Sequence, residues 1–132
     1  EIVAVSGYRS REEQAQIYAD TLRQRGRRYT STYVALPGCS EHETGLAIDV
    51  AKRAASIDDV TPGFPYSGIC QAFRHAAVRH GFIQRYPDGK QRITGIGHEP
   101  RHSRYVGIPH DWLITQRAFG TVVSAAWIRN YP

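Results

Sequence analysis

Ser40-Glu41-His42-Glu43-Thr44-Gly45-Leu46-Ala47-Ile48-Asp49-Val50 puts an imidazole, a glycine bend and a short apolar run bearing one acid into a single segment. The run Leu46 to Val50 reads as a buried strand. A carboxylate inside such a strand is costly to bury without a cation or hydrogen-bond partners. On its own, Asp49 would read as a strand-end acid facing solvent. Its company changes that reading, because His42 lies just upstream, and a neutral imidazole with a carboxylate is half of a common zinc ligand set. The second half stands further along, in Glu99-Pro100-Arg101-His102. There an acid and an imidazole three residues apart would let His102 bind a metal while Glu99 faces a water on it. A catalytic zinc takes three protein ligands and keeps one position open, and a water there ionises near neutral pH. His42, Asp49 and His102 supply those ligands without surplus, and Glu99 remains outside as a general base. E-x-x-H alone is a weak signal.

Outward from this stretch the chain alternates short strands with helical spacing. Ile2 to Val5 reads as a strand, and Ser10-Arg11-Glu12-Glu13 as a capping box with Ser10 as N-cap. Ala15, Ile17, Tyr18 and Leu22 then recur at helical intervals, predicting a helix over 11–25 that Gly26 ends. Pro37-Gly38-Cys39-Ser40 is loop chemistry, and residues 51–66, with Asp58-Asp59, Pro62-Gly63 and Pro65, read as an irregular excursion. Ile69 to His80 returns to helical spacing, stopped by Gly81. Phe82-Ile83 opens a strand, Pro87 to Lys90 is a turn, Ile93 to Ile96 reads as another strand, and Tyr105-Val106 follows. Val122 to Tyr131 reads as a final helix or strand. Helices segregated from several short strands imply an α+β domain, and 132 residues fit one such domain over 1–132.

Composition narrows the function classes. The chain is 41% hydrophobic and 22% charged, ordinary for a globular core. No apolar run approaches the roughly 20 residues of a spanning helix, and the opening residues lack the pattern of a signal peptide. With no Met anywhere, the sequence reads as a mature or trimmed fragment. Seventeen Lys and Arg face twelve Asp and Glu, a net charge of +5. Arg23, Arg25, Arg27 and Arg28 form the tightest basic group. A nucleic-acid contact would want aromatic residues interleaved with them, so a solvated helix end is the plainer reading. A basic surface also suits an anionic cell wall. Cys39 and Cys70 make no C-x-x-C pair; one bridge or two free thiols are both open.

The segment Ser40 to Asp49 resembles the S-x-H-x-x-G-x-A-x-D signature of the VanY-type D-alanyl-D-alanine carboxypeptidases, in a wider group with D-Ala-D-Ala dipeptidases, phage endolysin peptidases and the hedgehog signalling domain. Ser6-Gly7-Tyr8-Arg9-Ser10 with Gln14, Gly81 to Pro87, Ile93 to Ile96, and Glu99-Pro100-x-His102 through Gly107 resemble the same branch in order and spacing. The likeness spans roughly residues 3–108. It implies a hedgehog/D,D-peptidase-like α+β fold, helices on an antiparallel sheet bearing one zinc site. It further implies His42, Asp49 and His102 as ligands of Zn2+ and Glu99 as catalytic base. Arg9 would steady the substrate or its oxyanion, and Gln14, Ser40 and Tyr86 would contact the peptide. The implied partners are peptidoglycan stem peptides, with no role for nucleic acid, and the implied location is extracytoplasmic. Relatives divide between D,D-cleavage of pentapeptide stems and L,D-cleavage of tetrapeptide stems; D,D-carboxypeptidase is the expectation here. A binding domain without catalysis, as in hedgehog, would lack the base that Glu99 provides. Two departures stand out. Arg101 replaces the family's usual Trp, and the chain opens at the first strand, where relatives place a helix before it.

Overall fold

A computed structural model describes residues 2–53, 64–108 and 110. In order they form strand β1 (Ile2–Ser6), helix α1 (Arg11–Tyr33), a 3-10 turn (Glu41–Thr44), strand β2 (Ala47–Lys52), helix α2 (Gly68–Val78), strand β3 (Phe82–Tyr86), a single helical turn α3 (Gln91–Thr94) and strand β4 (Glu99–Tyr105). The strands make one sheet in the order β1-β2-β4-β3, with every neighbouring pair antiparallel. The α+β expectation holds, and β2 and β4 occupy the centre.

Alternation along β2 sorts its side chains onto two faces. Val50 packs with Phe64 and Cys70, and Ile2, Ile48 and Phe73 close around them, so α2 covers that face. Asp49 belongs to the opposite set. Arg74 anchors the chain where it re-enters the described fold, stacking over Phe64 and Tyr66 and donating to the carbonyls of Phe64, Pro65 and Pro100. Both cysteines are free thiols, Cys39 exposed and Cys70 buried in the core.

The register delivers the chemistry. Asp49 on β2 sits directly opposite His102 on β4, and Tyr86 on β3 opposite Glu99. Directly opposed residues on an antiparallel pair bring their Cβ atoms within about 5.5 Å. The pairing slips between Ala4 and Ser6 on β1 and between Gln84 and Tyr86 on β3, and the shifted partners are Asp49 and Glu99. Irregularities of this kind re-aim side chains beside functional sites.

Three sequence expectations need correction. The capping box forms as read, with Ser10 and Glu13 bonded reciprocally. Gly26 breaks the helix with φ 79°, as a glycine can, but the chain re-enters helix instead of leaving it. The buried Thr30 hydroxyl donates back to the Gly26 carbonyl one turn earlier, tying the second helical stretch to the kink. Ile93 to Ile96 is no strand. Gln91–Thr94 is a helical turn closed by Gly95 at φ 81°, and Ile93 is exposed. Conversely, Glu99–Tyr105 is a central strand although it lacks the apolar run that marks one. Its interior residues Arg101, His102, Ser103 and Arg104 are buried through polar partners or the site itself. Residues 54–63 and the segment Val122 to Tyr131 lie outside the described residues.

Candidate active site

Ser40 opens the 3-10 turn, and Gly45, at φ 71°, closes it by donating to the His42 carbonyl. That turn brings the His42 ring against Asp49 and His102 of the two central strands, and the His42 carbonyl also accepts from the Arg9 amide at 3.3 Å. His42, Asp49 and His102, all buried, each present one ligand atom, and these atoms lie within 4.8 Å of one another. The two imidazole rings stand edge to face, 5.0 Å between centroids.

The hydrogen bonds decide what this cluster can hold. His42 Nδ1 lies 2.7 Å from the Gly7 carbonyl, so it carries the proton and donates. Its Nε2 then faces Asp49 Oδ2 at 3.2 Å. On His102, Nε2 is 3.2 Å from Glu41 Oε2 and Nδ1 is 3.0 Å from Asp49 Oδ1. Ionised carboxylates only accept, and a neutral imidazole has one N–H. Once Gly7 and Glu41 have taken those protons, two nitrogen lone pairs and a carboxylate point at one another. The arrangement demands extra protons on the rings or a cation among the three groups. Two imidazoles and one carboxylate are a donor set for zinc, with each outer ring nitrogen fixed by an oxygen acceptor, as at metal sites generally. The residues fit the ion.

The charges follow from the same contacts. Burial would raise the Asp49 carboxyl, but its close contacts with the His102 and His42 rings hold it far below the usual carboxylate range. Burial alone would lower His102; its hydrogen bonds to Asp49 and Glu41 prevail and push it up to about 9. Glu41 is likewise penalised by burial, yet His102, Arg85 and Arg104 bring it down to about 2. Glu99 goes the other way. Burial, reinforced by the nearby Asp49 charge and opposed by His102, Arg101 and Arg9, pushes it up to about 7.

These groups share a cleft of about 570 Å3 that runs from the His–Asp–His cluster along α1 past Ile17, Tyr29 and Tyr33. Arg9, Gln14, Ser40, Tyr86 and Glu99 all line it, so every residue singled out from the sequence converges on one place. Gln14 is buried, and its amide is already engaged. Its oxygen accepts from Arg9 at 2.9 Å and its nitrogen donates to the Ala35 carbonyl at 2.7 Å. It therefore aims Arg9, whose other terminal nitrogen donates to the Ser6 hydroxyl at 2.7 Å. Tyr86 lies against His102, ring centroids 4.8 Å apart, and burial raises its phenol well above the ordinary tyrosine value. Arg101 is buried in the cleft wall. His98 lies outside the lining, stacked on Tyr66 and hydrogen-bonded to its hydroxyl at 2.9 Å. Sequence reading passed over Glu41. The signal was present, since an acid one residue before a ligand histidine can serve the other histidine once a turn intervenes.

The sheet order, the central pairing of Asp49 with His102 and this donor set define the D,D-peptidase fold. The chain belongs to the VanY D-alanyl-D-alanine carboxypeptidase family, whose model matches residues 1–108. It is 47% identical over 116 residues to the bifunctional D-Ala-D-Ala dipeptidase and carboxypeptidase VanXYC of Enterococcus gallinarum, covering 87% of this chain and 61% of that one. Among solved structures it resembles the vancomycin-resistance D,D-dipeptidase VanXYg bound to a D-Ala-D-Ala phosphinate analogue, with TM-score 0.91 and 51% identity over 98% of this chain and 52% of the other. A vancomycin-resistance D,D-pentapeptidase VanY from a VanB-type cassette, solved with Zn(II), matches with TM-score 0.73 and 31% identity over 91% of this chain and 68% of the other. The chain thus spans between half and two-thirds of the length of its first two relatives.

Proposed function

We propose that this chain is a zinc-dependent D,D-carboxypeptidase domain that removes the C-terminal D-Ala from peptidoglycan stem peptides outside the cytoplasm. The observation that carries the reading is the meeting of His42, Asp49 and His102 with Glu99 and Arg9 in one cleft. His42 Nε2, an Asp49 oxygen and His102 Nδ1 would hold the zinc. When bound, zinc supplies Lewis acidity and a water that ionises near neutral pH.

The chain's own residues supply the rest. Glu99 takes a proton from the attacking water and passes it to the leaving amine. A carboxyl pushed up towards neutrality by burial suits a group that must accept and release a proton in one turnover. Arg9, fixed by Gln14 and Ser6, offers a guanidinium to the substrate carboxylate or to the charge growing on the scissile carbonyl. Tyr86, a protonated phenol, and Ser40 donate to the peptide from the same wall.

Carboxypeptidase action is favoured over cleavage of the free dipeptide. The relative VanXYC carries both activities, and VanXYg binds a dipeptide analogue. The cleft here continues from the His–Asp–His cluster along α1 past Ile17, Tyr29 and Tyr33, which gives a stem peptide wall to lie against beyond its last two residues. A free amino terminus would also need an acid. Among the described lining residues the acids are Glu13, which caps α1, and Glu41, Asp49 and Glu99. The chain should be incubated with a pentapeptide stem, a tetrapeptide stem and D-Ala-D-Ala, and the products weighed by mass spectrometry. Loss of one D-Ala from the pentapeptide is the expected result. Cleavage of the tetrapeptide alone would make it an L,D-carboxypeptidase, and cleavage of the dipeptide alone would refute the carboxypeptidase reading.

A further inference from the structure

Glu41 lines the cleft but neither faces the substrate space as a base nor joins the three ligand atoms. Its Oε2 lies 3.2 Å from His102 Nε2. Its Oε1 accepts from Arg85 Nε at 2.8 Å and lies 3.8 Å from Arg104 Nη1. Arg104 in turn donates to the Thr44 hydroxyl at 3.2 Å, within the same 3-10 turn that carries Glu41. The side chains of His102, Arg85 and Arg104 are each less than a tenth exposed, and that of Glu41 is 15% exposed. Desolvating a carboxylate and two guanidiniums is expensive, and a buried ion pair often stabilises a fold no better than apolar residues of equal volume. Stability alone is therefore a poor reason for this cluster.

Geometry gives a better one. An acceptor clamped against Nε2 forces the His102 proton there and turns Nδ1 towards Asp49. The neighbouring Glu43 shows the difference that direction makes. It starts from the same turn but accepts from the Gly38 amide, at 2.9 and 3.2 Å, and makes no contact with either imidazole.

We propose that Glu41, held between Arg85 and Arg104, is a positioning residue of the metal centre, fixing His102 with its Nδ1 lone pair directed at the ion. One turn then supplies a ligand directly through His42 and orients a second through Glu41. The inference rests on the reading of His42, Asp49 and His102 as zinc ligands.

Zinc dissociation constants should be measured by competition with a chromophoric chelator for the parent chain and for Glu41→Ala, Glu41→Asp, Glu41→Gln and Glu43→Gln. The ring nitrogens of His102 should be followed by 15N NMR in the zinc-loaded proteins. Loss of an outer partner of a ligand histidine weakens metal binding by roughly 10- to 100-fold. That range is expected for Glu41→Ala, with His102 no longer held in the single Nε2–H form. Glu41→Gln keeps an oxygen that can accept from Nε2 and should retain that tautomer with a smaller loss. Glu43→Gln should match the parent. If Glu41→Ala does not fold, Glu41→Asp decides, because it keeps a charge beside the arginines but withdraws it from Nε2. Zinc affinity within twofold of the parent in the folded alanine variant, or in the aspartate variant where alanine fails, would overturn the proposal. A parent chain that binds no zinc would instead overturn the ligand assignment beneath it.

Discussion

Glu99→Gln should make the metal-free protein more stable at pH 8 while abolishing turnover. Burial and the Asp49 charge raise the Glu99 carboxyl from 4.5 to about 7 in the folded chain. Between those values the folded state holds a proton that the unfolded state has released. Stability therefore falls as pH rises through this window. A displacement of that size is worth about 3 kcal/mol at most, and glutamine, with nearly the same shape and no charge, escapes it. Urea unfolding of chelator-treated parent and variant at pH 5, 6, 7 and 8 would measure the effect. The informative quantity is how the stability difference changes with pH, because the intrinsic difference between a neutral glutamic acid and glutamine then cancels. The variant's relative stability should grow by up to about 3 kcal/mol from pH 5 to pH 8 and flatten beyond. A difference that stays level across that range, or moves the other way, would refute the claim that Glu99 is a charge held in an unfavourable place. Zinc should narrow the gap, because a divalent cation beside Glu99 favours its ionised form.

Two further substitutions test other parts of the site. Arg9→Ala removes a guanidinium held by Gln14 and Ser6 but touches no ligand side chain. It should lower kcat/KM by about 100- to 1,000-fold, the range for loss of one oxyanion donor, with zinc content unchanged; steady-state kinetics beside metal analysis would check both halves. Gly97→Ala probes the approach to Glu99. Its added Cβ would stand 2.7 Å from Tyr33 Cε1 and 2.9 Å from Thr32 Cγ2. Gly97 is buried and its amide is hydrogen-bonded to the Thr32 carbonyl at 2.7 Å, so the backbone beside Thr32 and Tyr33 cannot draw back without breaking that bond. A loss of about 1–3 kcal/mol is expected, the usual cost of overfilling a packed contact, and a thermal melt coincident with the parent's would contradict it.

Much of the site was legible because its chemistry is concentrated. The segment Ser40 to Val50 carries one candidate ligand before a glycine bend and another inside an apolar strand, and the structure brings both to His102. The capping box of α1 was equally readable, because both of its hydrogen bonds are local. Sequence reading failed where tertiary partners override local preference. Glu99–Tyr105 is a central strand without an apolar run, because its interior arginine and histidine side chains find ion-pair and hydrogen-bond partners that arrive from Glu41, Thr44 and Asp49. Gly26 does break helical geometry, but nothing local reveals that a second helical stretch follows. Glu41 was overlooked for the same reason, since its partners Arg85 and His102 lie 44 and 61 residues away along the chain.

The account rests on three side chains gripping one ion, and metal analysis after exhaustive dialysis against metal-free buffer addresses that most directly. The parent chain should retain one zinc per molecule, while His42→Ala, Asp49→Ala and His102→Ala, each shown by circular dichroism to be folded, should retain almost none. A parent without zinc, or any of these folded variants carrying as much zinc as the parent, would contradict it.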